Sequence, residues 1–146
     1  MKTDKKYENL KLTKQLCFPL YAASREVIKQ YKPYLDEMDL TYTQYIAMII
    51  LWENKTMTVK EMGEHLFLDS GTLTPLLKKL EAKGYITRVR STEDERNLNI
   101  SITKEGEKVK EKAIKIPEVI AEGTKLSEEE IETFYKVLQK ILDQYK

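Results

Sequence analysis

Residues 58–100, TVKEMGEHLFLDSGTLTPLLKKLEAKGYITRVRSTEDERNLNI, pass from a helical to a strand-like hydrophobic pattern, and that change constrains the chain more than any other feature. Thr58 is followed three residues on by Glu61, a capping box, so a helix starts there and runs to about Leu66. Leu68-Asp69-Ser70-Gly71 reads as a turn, and Asp69 or Ser70 can cap a second helix. Within it Leu73, Leu76, Leu77 and Leu80 fall at i, i+3, i+4 and i+7, which makes one face apolar. Gly84 lies just past its end, where a left-handed residue is commonly needed. Tyr85, Ile86, Val89, Leu98, Ile100 and Ile102 then mark two β-prone runs around the polar residues 91–97.

Helix, turn, helix and hairpin is the order of a winged helix-turn-helix, which lays its second helix in the major groove of DNA. The polar side of that helix presents Ser70, Thr72, Thr74, Pro75, Lys78 and Lys79. Hydroxyls near a helix N-terminus suit base edges and phosphates, Pro75 suits a thymine methyl, and the two lysines suit phosphates. In the wing, Arg96 held by Asp94 is expected to enter the adjacent minor groove, with Arg88 and Arg90 on the DNA backbone. The plain alternatives are a solvated polar face opposite the leucines and, for Arg96, a loop ion pair.

Thr41 and Gln44 form another capping box, opening a helix over residues 42–53 that is apolar almost all round and therefore central. Met57 is expected to add a short strand beside the wing. Upstream, residues 1–8 are polar and expected to fray. Apolar residues recur at helical spacing from about 10 to 35: Leu16, Leu20, Ala23, Val27, Ile28 and Tyr31. Pro19 shifts the start or a kink of that helix to residues 15–19, and Pro33 is expected to break it near Tyr31. Downstream, Thr103 caps a long helix from Lys104; Gly106 weakens its first turn and Pro117 kinks or ends it. Ser127 and Glu130 open a last helix carrying Ile131, Phe134, Val137, Leu138, Ile141, Leu142 and Tyr145. The stripes of the last two helices, the first of them carrying Val109, Ala113, Ile116, Val119 and Ile120, have together with the N-terminal helix the pattern of an interlocked dimer interface, the alternative being packing on their own domain. The expected fold is mainly α with a small β-wing: residues 41–103 the winged helix-turn-helix, residues 1–40 and 104–146 a helical dimerisation region.

Composition narrows the function. A net charge of +1 argues neither for nor against a polyanionic partner, but residues 1–34 hold eight Lys/Arg against three Asp/Glu, so folding must assemble any basic patch. No run of 18 apolar residues and no signal-peptide core is visible, and one cysteine fits a reducing compartment, so a cytoplasmic protein with no membrane partner is expected. His65 is the only histidine and has no partners at metal spacing; residues 128–130 are a helix start, not a catalytic pair. No phosphate loop or triad is present, so neither an enzyme nor a cofactor is expected.

Residues 68–81, LDSGTLTPLLKKLE, followed by Gly84-Tyr85-Ile86-Thr87-Arg88 and Asp94-Glu95-Arg96-Asn97-Leu98-Asn99-Ile100, resemble the MarR family of winged-helix regulators. Gln15-Leu16-Cys17-Phe18, Leu20-Tyr21, Tyr31-Lys32-Pro33 and Leu40-Thr41-Tyr42 resemble its organic-hydroperoxide sensor branch and the staphylococcal redox regulators. The match is close over about residues 10–105. With no second cysteine, the chain resembles the one-Cys type.

The resemblance gives Cys17 a role that a lone cysteine, usually a small buried hydrophobe, does not otherwise have. It implies a redox-active thiolate, supported by Tyr21 one turn along and by Tyr31 and Tyr42 reaching it from the partner subunit of a homodimer. A helix beginning just before Cys17 would favour the thiolate through its dipole. For the tyrosines taken singly, core packing is the plain alternative. The implied function is a repressor that leaves a pseudo-palindromic operator when organic hydroperoxide converts Cys17 to a sulfenic acid, followed by a mixed disulfide with a low-molecular-weight thiol or by over-oxidation. Two alternatives remain: a regulator controlled by a small aromatic ligand with Cys17 a bystander, and a thiol peroxidase.

Overall fold

The computed structural model describes residues 5–90, 92 and 98–146. Seven α-helices and three strands follow one another among these residues: α1 (Cys17–Glu37), α2 (Tyr42–Asn54), β1 (Thr56–Thr58), α3 (Val59–Leu66), α4 (Ser70–Ala82), β2 (Ile86–Arg90), β3 (Leu98–Ile102), α5 (Lys104–Ala113), α6 (Ile116–Gly123) and α7 (Glu128–Leu142). The strands form one antiparallel sheet in the order β1-β3-β2, with Met57 and Arg88 both opposite Ile100, so the short strand expected at Met57 is present. Residues 5–10, expected to fray through residue 8, instead form a 3₁₀ turn. The Gln15 side-chain amide reaches back to the Asn9 carbonyl at 2.8 Å.

Local chemistry sets most boundaries. The capping boxes of Thr41 with Gln44, Thr58 with Glu61 and Ser127 with Glu130 are each closed in both directions. Asp69 rather than Ser70 caps α4: its Oδ1 accepts the Thr72 amide at 2.7 Å. Gly84, at φ 79°, reverses the chain after α4. Pro19 is the third residue of α1, where its missing amide hydrogen would have had no helical partner. Pro117 falls in the first turn of α6 and divides the long downstream helix into α5 and α6.

Pro33 departs from expectation. It does not break α1 near Tyr31; the helix continues through it to Glu37. Pro33 lies on the exposed side, where water can take the carbonyl that it leaves unpaired, while Leu35 and Met38 are held in the core. Tertiary packing overrides the local preference.

The core surrounds α2, whose Tyr45, Ala47, Met48, Leu51 and Trp52 are buried; Ile49 is exposed. Leu73, Leu77 and Leu80 of α4 close over it, with Met62, Ile86, Ile100, Ile116 and Ile120. Three carbonyls at the C-terminal end of α1 are taken by α5 and by the connection between α4 and β2. Lys112 Nζ donates to Glu37 O at 3.2 Å, Tyr85 Oη to Met38 O at 3.3 Å, and Lys83 Nζ to Asp39 O. Two of these donors carry the positive charge that a helix C-terminus favours. Gly106 is a site of close approach, since a Cβ there would lie 2.3 Å from Tyr85 O. The helix-weakening glycine is therefore required by packing.

Two stretches remain uncovered. No residue of α7 is buried, and Phe134, Tyr135, Val137 and Tyr145 are exposed. At the other end of the chain Leu16 is 85% exposed and Phe18, Leu20 and Tyr21 lie open beside it.

Candidate DNA-reading face and redox site

The leucine stripe of α4 determines what its other side can offer. With Leu73, Leu76, Leu77 and Leu80 buried, Ser70, Thr72, Thr74, Pro75, Lys78 and Lys79 are all exposed. They span a wide arc of the helix. Ser70 and Thr74 line an open groove of roughly 600 Å³ with Lys60 and Glu64 of α3 and with Arg90 and Leu98 of the sheet. Lys79 lies on the opposite flank, lining a cleft with Asp36, Asp39 and Lys83. Lys60 is an addition: on sequence alone it is one lysine among many, and only the packing of α3 against the sheet brings it to the groove that Arg90 lines.

Arg88 and Arg90, expected to act alike, are placed differently. Arg90 is exposed at the groove. Arg88 is half-buried, and its Nη2 donates to Glu81 Oε1 at 3.0 Å, tying β2 to the last turn of α4. Its Nε is buried without a hydrogen-bond partner. Arg88 thus braces α4 through Glu81. Asp94 and Arg96 lie outside the described residues.

Cys17 is exposed as the first residue of α1. Leu16, before it, is already helical and supplies no side-chain cap, so no side chain competes for the first amides of α1. Tyr21 lies one turn on and is 60% exposed, with the Arg25 guanidinium 5.4 Å from its ring centroid. Tyr31 and Tyr42 meet elsewhere, edge to face with ring centroids 5.1 Å apart. Fourteen residues of one helix separate Cys17 from Tyr31, about 21 Å at 1.5 Å per residue, so a single chain cannot bring the thiol to this pair.

Tyr45 joins the pair, its ring 5.9 Å from Tyr31 and 6.3 Å from Tyr42. The sequence pattern offered it only as a core residue. Burial raises all three phenols, and Tyr31, which also faces the other two, is pushed up from 10.0 to about 12. The three are therefore neutral hydroxyl donors at physiological pH. A consequence is testable by alkaline titration. Between pH 10 and about 12 an unfolded chain releases the Tyr31 proton that the folded chain keeps, so stability falls as pH rises through that window. Tyr31→Phe is expected to flatten that part of the stability-pH profile and to remove the latest-rising phenolate absorbance. An unchanged profile would mean that the Tyr31 proton is not held by the fold.

Among the described residues no helix is long and apolar enough to cross a membrane, and no group of three or more His, Cys, Asp or Glu side chains could hold a metal.

A family model described as transcriptional regulator SarA/Rot matches residues 29–113, more than half of the chain. The organic hydroperoxide resistance transcriptional regulator of Bacillus subtilis (strain 168) is 52% identical over 140 residues, covering 96% of this chain and 95% of that protein. The HTH-type transcriptional regulator SarZ of Staphylococcus aureus (strain USA300) is 49% identical over 123 residues, covering 84% and 83%. Among solved structures, reduced AbfR bound to DNA is 34% identical with a TM-score of 0.77, covering 96% of this chain and 98% of that one. AbfR, from Staphylococcus epidermidis, has also been solved overoxidised on DNA and in a disulfide-formed state. The chain belongs to the MarR-type winged-helix transcriptional regulators of the SarA/Rot class, in the branch that contains the organic hydroperoxide resistance regulator.

Proposed function

We propose that the chain is a homodimeric repressor whose hold on a pseudo-palindromic operator is set by the oxidation state of Cys17. The observation that carries the proposal is the position of Cys17: an exposed thiol at the start of α1, within an uncovered apolar stretch, far along its own chain from a pair of neutral phenols. A second copy laid across α1 and α7 covers the apolar stretch and brings Tyr31 and Tyr42 of one chain to Cys17 of the other. Residues 1–40 and 104–146 then form the dimerisation region, and residues 41–103 the reading head.

The head reads DNA with Ser70, Thr72, Thr74 and Pro75 in the major groove and with Lys78, Lys79, Arg90 and Lys60 on phosphates. Arg88, held by Glu81, positions α4.

The switch is a two-electron oxidation. The Cys17 thiolate attacks one peroxide oxygen; an S–O bond forms as the O–O bond breaks, and the alkoxide takes a proton and leaves as an alcohol. Tyr31 and Tyr42 donate hydrogen bonds to the thiolate and so stabilise the attacking form. A small thiol then displaces water from the sulfenic acid to give a mixed disulfide. Its bulk at the dimer seam forces the two heads out of half-site spacing. Overoxidised AbfR was crystallised on DNA, which supports the adduct, rather than further oxygen on sulfur, as the releasing species.

The test uses the reduced wild-type chain. It is expected to bind an operator duplex as a dimer, to consume one equivalent of an alkyl hydroperoxide per subunit, and to leave the DNA once a small thiol is added. Multiple turnovers of peroxide without DNA binding would instead establish a thiol peroxidase.

A further inference from the structure

The tyrosine pair is one end of a row of rings that leads to the reading head. Tyr42 and Tyr45 lie on α2, and Tyr45 meets Trp52, in the last turn of the same helix, edge to face at 6.3 Å. Trp52 is 6% exposed, and its indole N–H donates to Gly106 O at 2.9 Å across 54 residues of sequence. The receiving carbonyl belongs to the glycine on which Tyr85 O closes. Around it Thr103 Oγ1 accepts the Gly106 amide at 3.1 Å and donates to Gly84 O at 2.6 Å, and the Thr103 amide donates to Tyr85 O at 3.1 Å. Gly84 and Tyr85 are two of the three residues that join α4 to β2. The Trp52 hydrogen bond therefore ends where the reading helix, the wing and α5 meet.

Resting on the reading of Cys17 as the switch, we propose that Trp52 is the positioning residue that carries the state of the Tyr31–Tyr42 pair to the reading head, through its hydrogen bond to Gly106. Packed rings without intervening voids pass on a displacement where a loop would absorb it. Van der Waals contact alone lets α2 slide or turn against α5. The indole N–H limits that freedom together with two links at the C-cap of α2, the Lys55–Glu107 ion pair and the Ile102 amide on Lys55 O, and unlike them it starts from the row of rings.

Trp52→Phe keeps a buried ring and removes the donor, so it separates coupling from packing. The readout is the ratio of operator dissociation constants, oxidised with a small thiol over reduced, for wild type and variant. Labelling with a dione probe checks that Cys17 forms its sulfenic acid equally in both. The ratio is expected to fall by about three- to tenfold in the variant, the range that one buried hydrogen bond carries. A role confined to stability would weaken both states alike and leave the ratio unchanged, and that result overturns the proposal.

Trp52 is also the chain's single tryptophan, so its emission gives a second measurement should the variant fail to fold. In the wild type the emission is expected to shift with oxidation of Cys17, and to stay constant under the same treatment in Cys17→Ser. Constant emission through wild-type release overturns the coupling through Trp52 while leaving the switch intact. A wild type that is never released removes the switch and this inference together.

Discussion

Cys17→Ser is expected to bind operator DNA within about twofold of wild type, because serine is nearly isosteric with cysteine and still accepts the tyrosine hydrogen bonds, a change worth only about 0.5 kcal/mol. It is also expected to remain bound after treatment with alkyl hydroperoxide and a small thiol. The wild type should lose about 10²- to 10⁴-fold in affinity under the same treatment, the advantage that two linked heads have over one. Titration of a fluorescent operator duplex with each protein, before and after oxidation, measures both quantities. The argument is one of elimination: Cys17 is the only cysteine, so a serine there leaves no thiol for the reaction. If the serine variant is released as readily as the wild type, the chemistry lies elsewhere, and a small-molecule effector becomes the better account.

Gly106→Ala, where α5 meets the reading head, is expected to be strongly destabilising, by about 3 kcal/mol. A Cβ there meets Tyr85 O at 2.3 Å and Ile102 Cγ1 at 2.9 Å, and neither neighbour is the free end of a flexible side chain. The carbonyl belongs to backbone held on both sides, by the Thr103 amide and by the start of β2. Something must therefore move, either α5 away from the wing or the wing away from α4. Gly71→Ala is the control. Its Cβ would meet only Asp69 Oδ1, at 3.4 Å, and it lies in the first turn of a helix, so its effect should be within about 1 kcal/mol of zero. Chemical denaturation of the two variants beside wild type compares them directly. Equal midpoints for Gly106→Ala and wild type would mean that the contact relaxes without loss.

Features that depend on a few consecutive residues were legible in the sequence. The three capping boxes, the turn at Gly84 and the α4 leucine stripe each follow from spacing within one or two turns of chain, and so did the exposed character of Ser70, Thr72, Thr74 and Pro75. Features decided by a distant element were not. Pro33 looked like a helix end because the local rule disfavours a proline there; the packing of Leu35 and Met38 carried the helix past it. Arg88 looked like a second Arg90 because strand alternation does not reveal that Glu81, seven residues earlier, lies within 3.0 Å. Gly106 looked like a flaw because helix propensity counts its backbone freedom and not the carbonyl against it. Tyr45 was counted as core, which it is, but its contacts with Tyr31 and Tyr42 depend on how α1 crosses α2.

The three carbonyls at the end of α1 have a mechanical consequence. With Glu37 gripped by α5, and Met38 and Asp39 by Tyr85 and Lys83 just past α4, the helix is a lever clamped at one end and loaded at the other. Its 21 residues make an arm of about 31 Å. A group that pushes the free end aside by roughly 3 Å, at Cys17, tilts the arm by about 6°, and the clamp delivers that tilt to the end of α4. A flexible joint there would have let the head keep its place on the DNA. Breaking the grip, for example with Lys83→Met, should therefore make the regulator less responsive to its oxidant rather than more so.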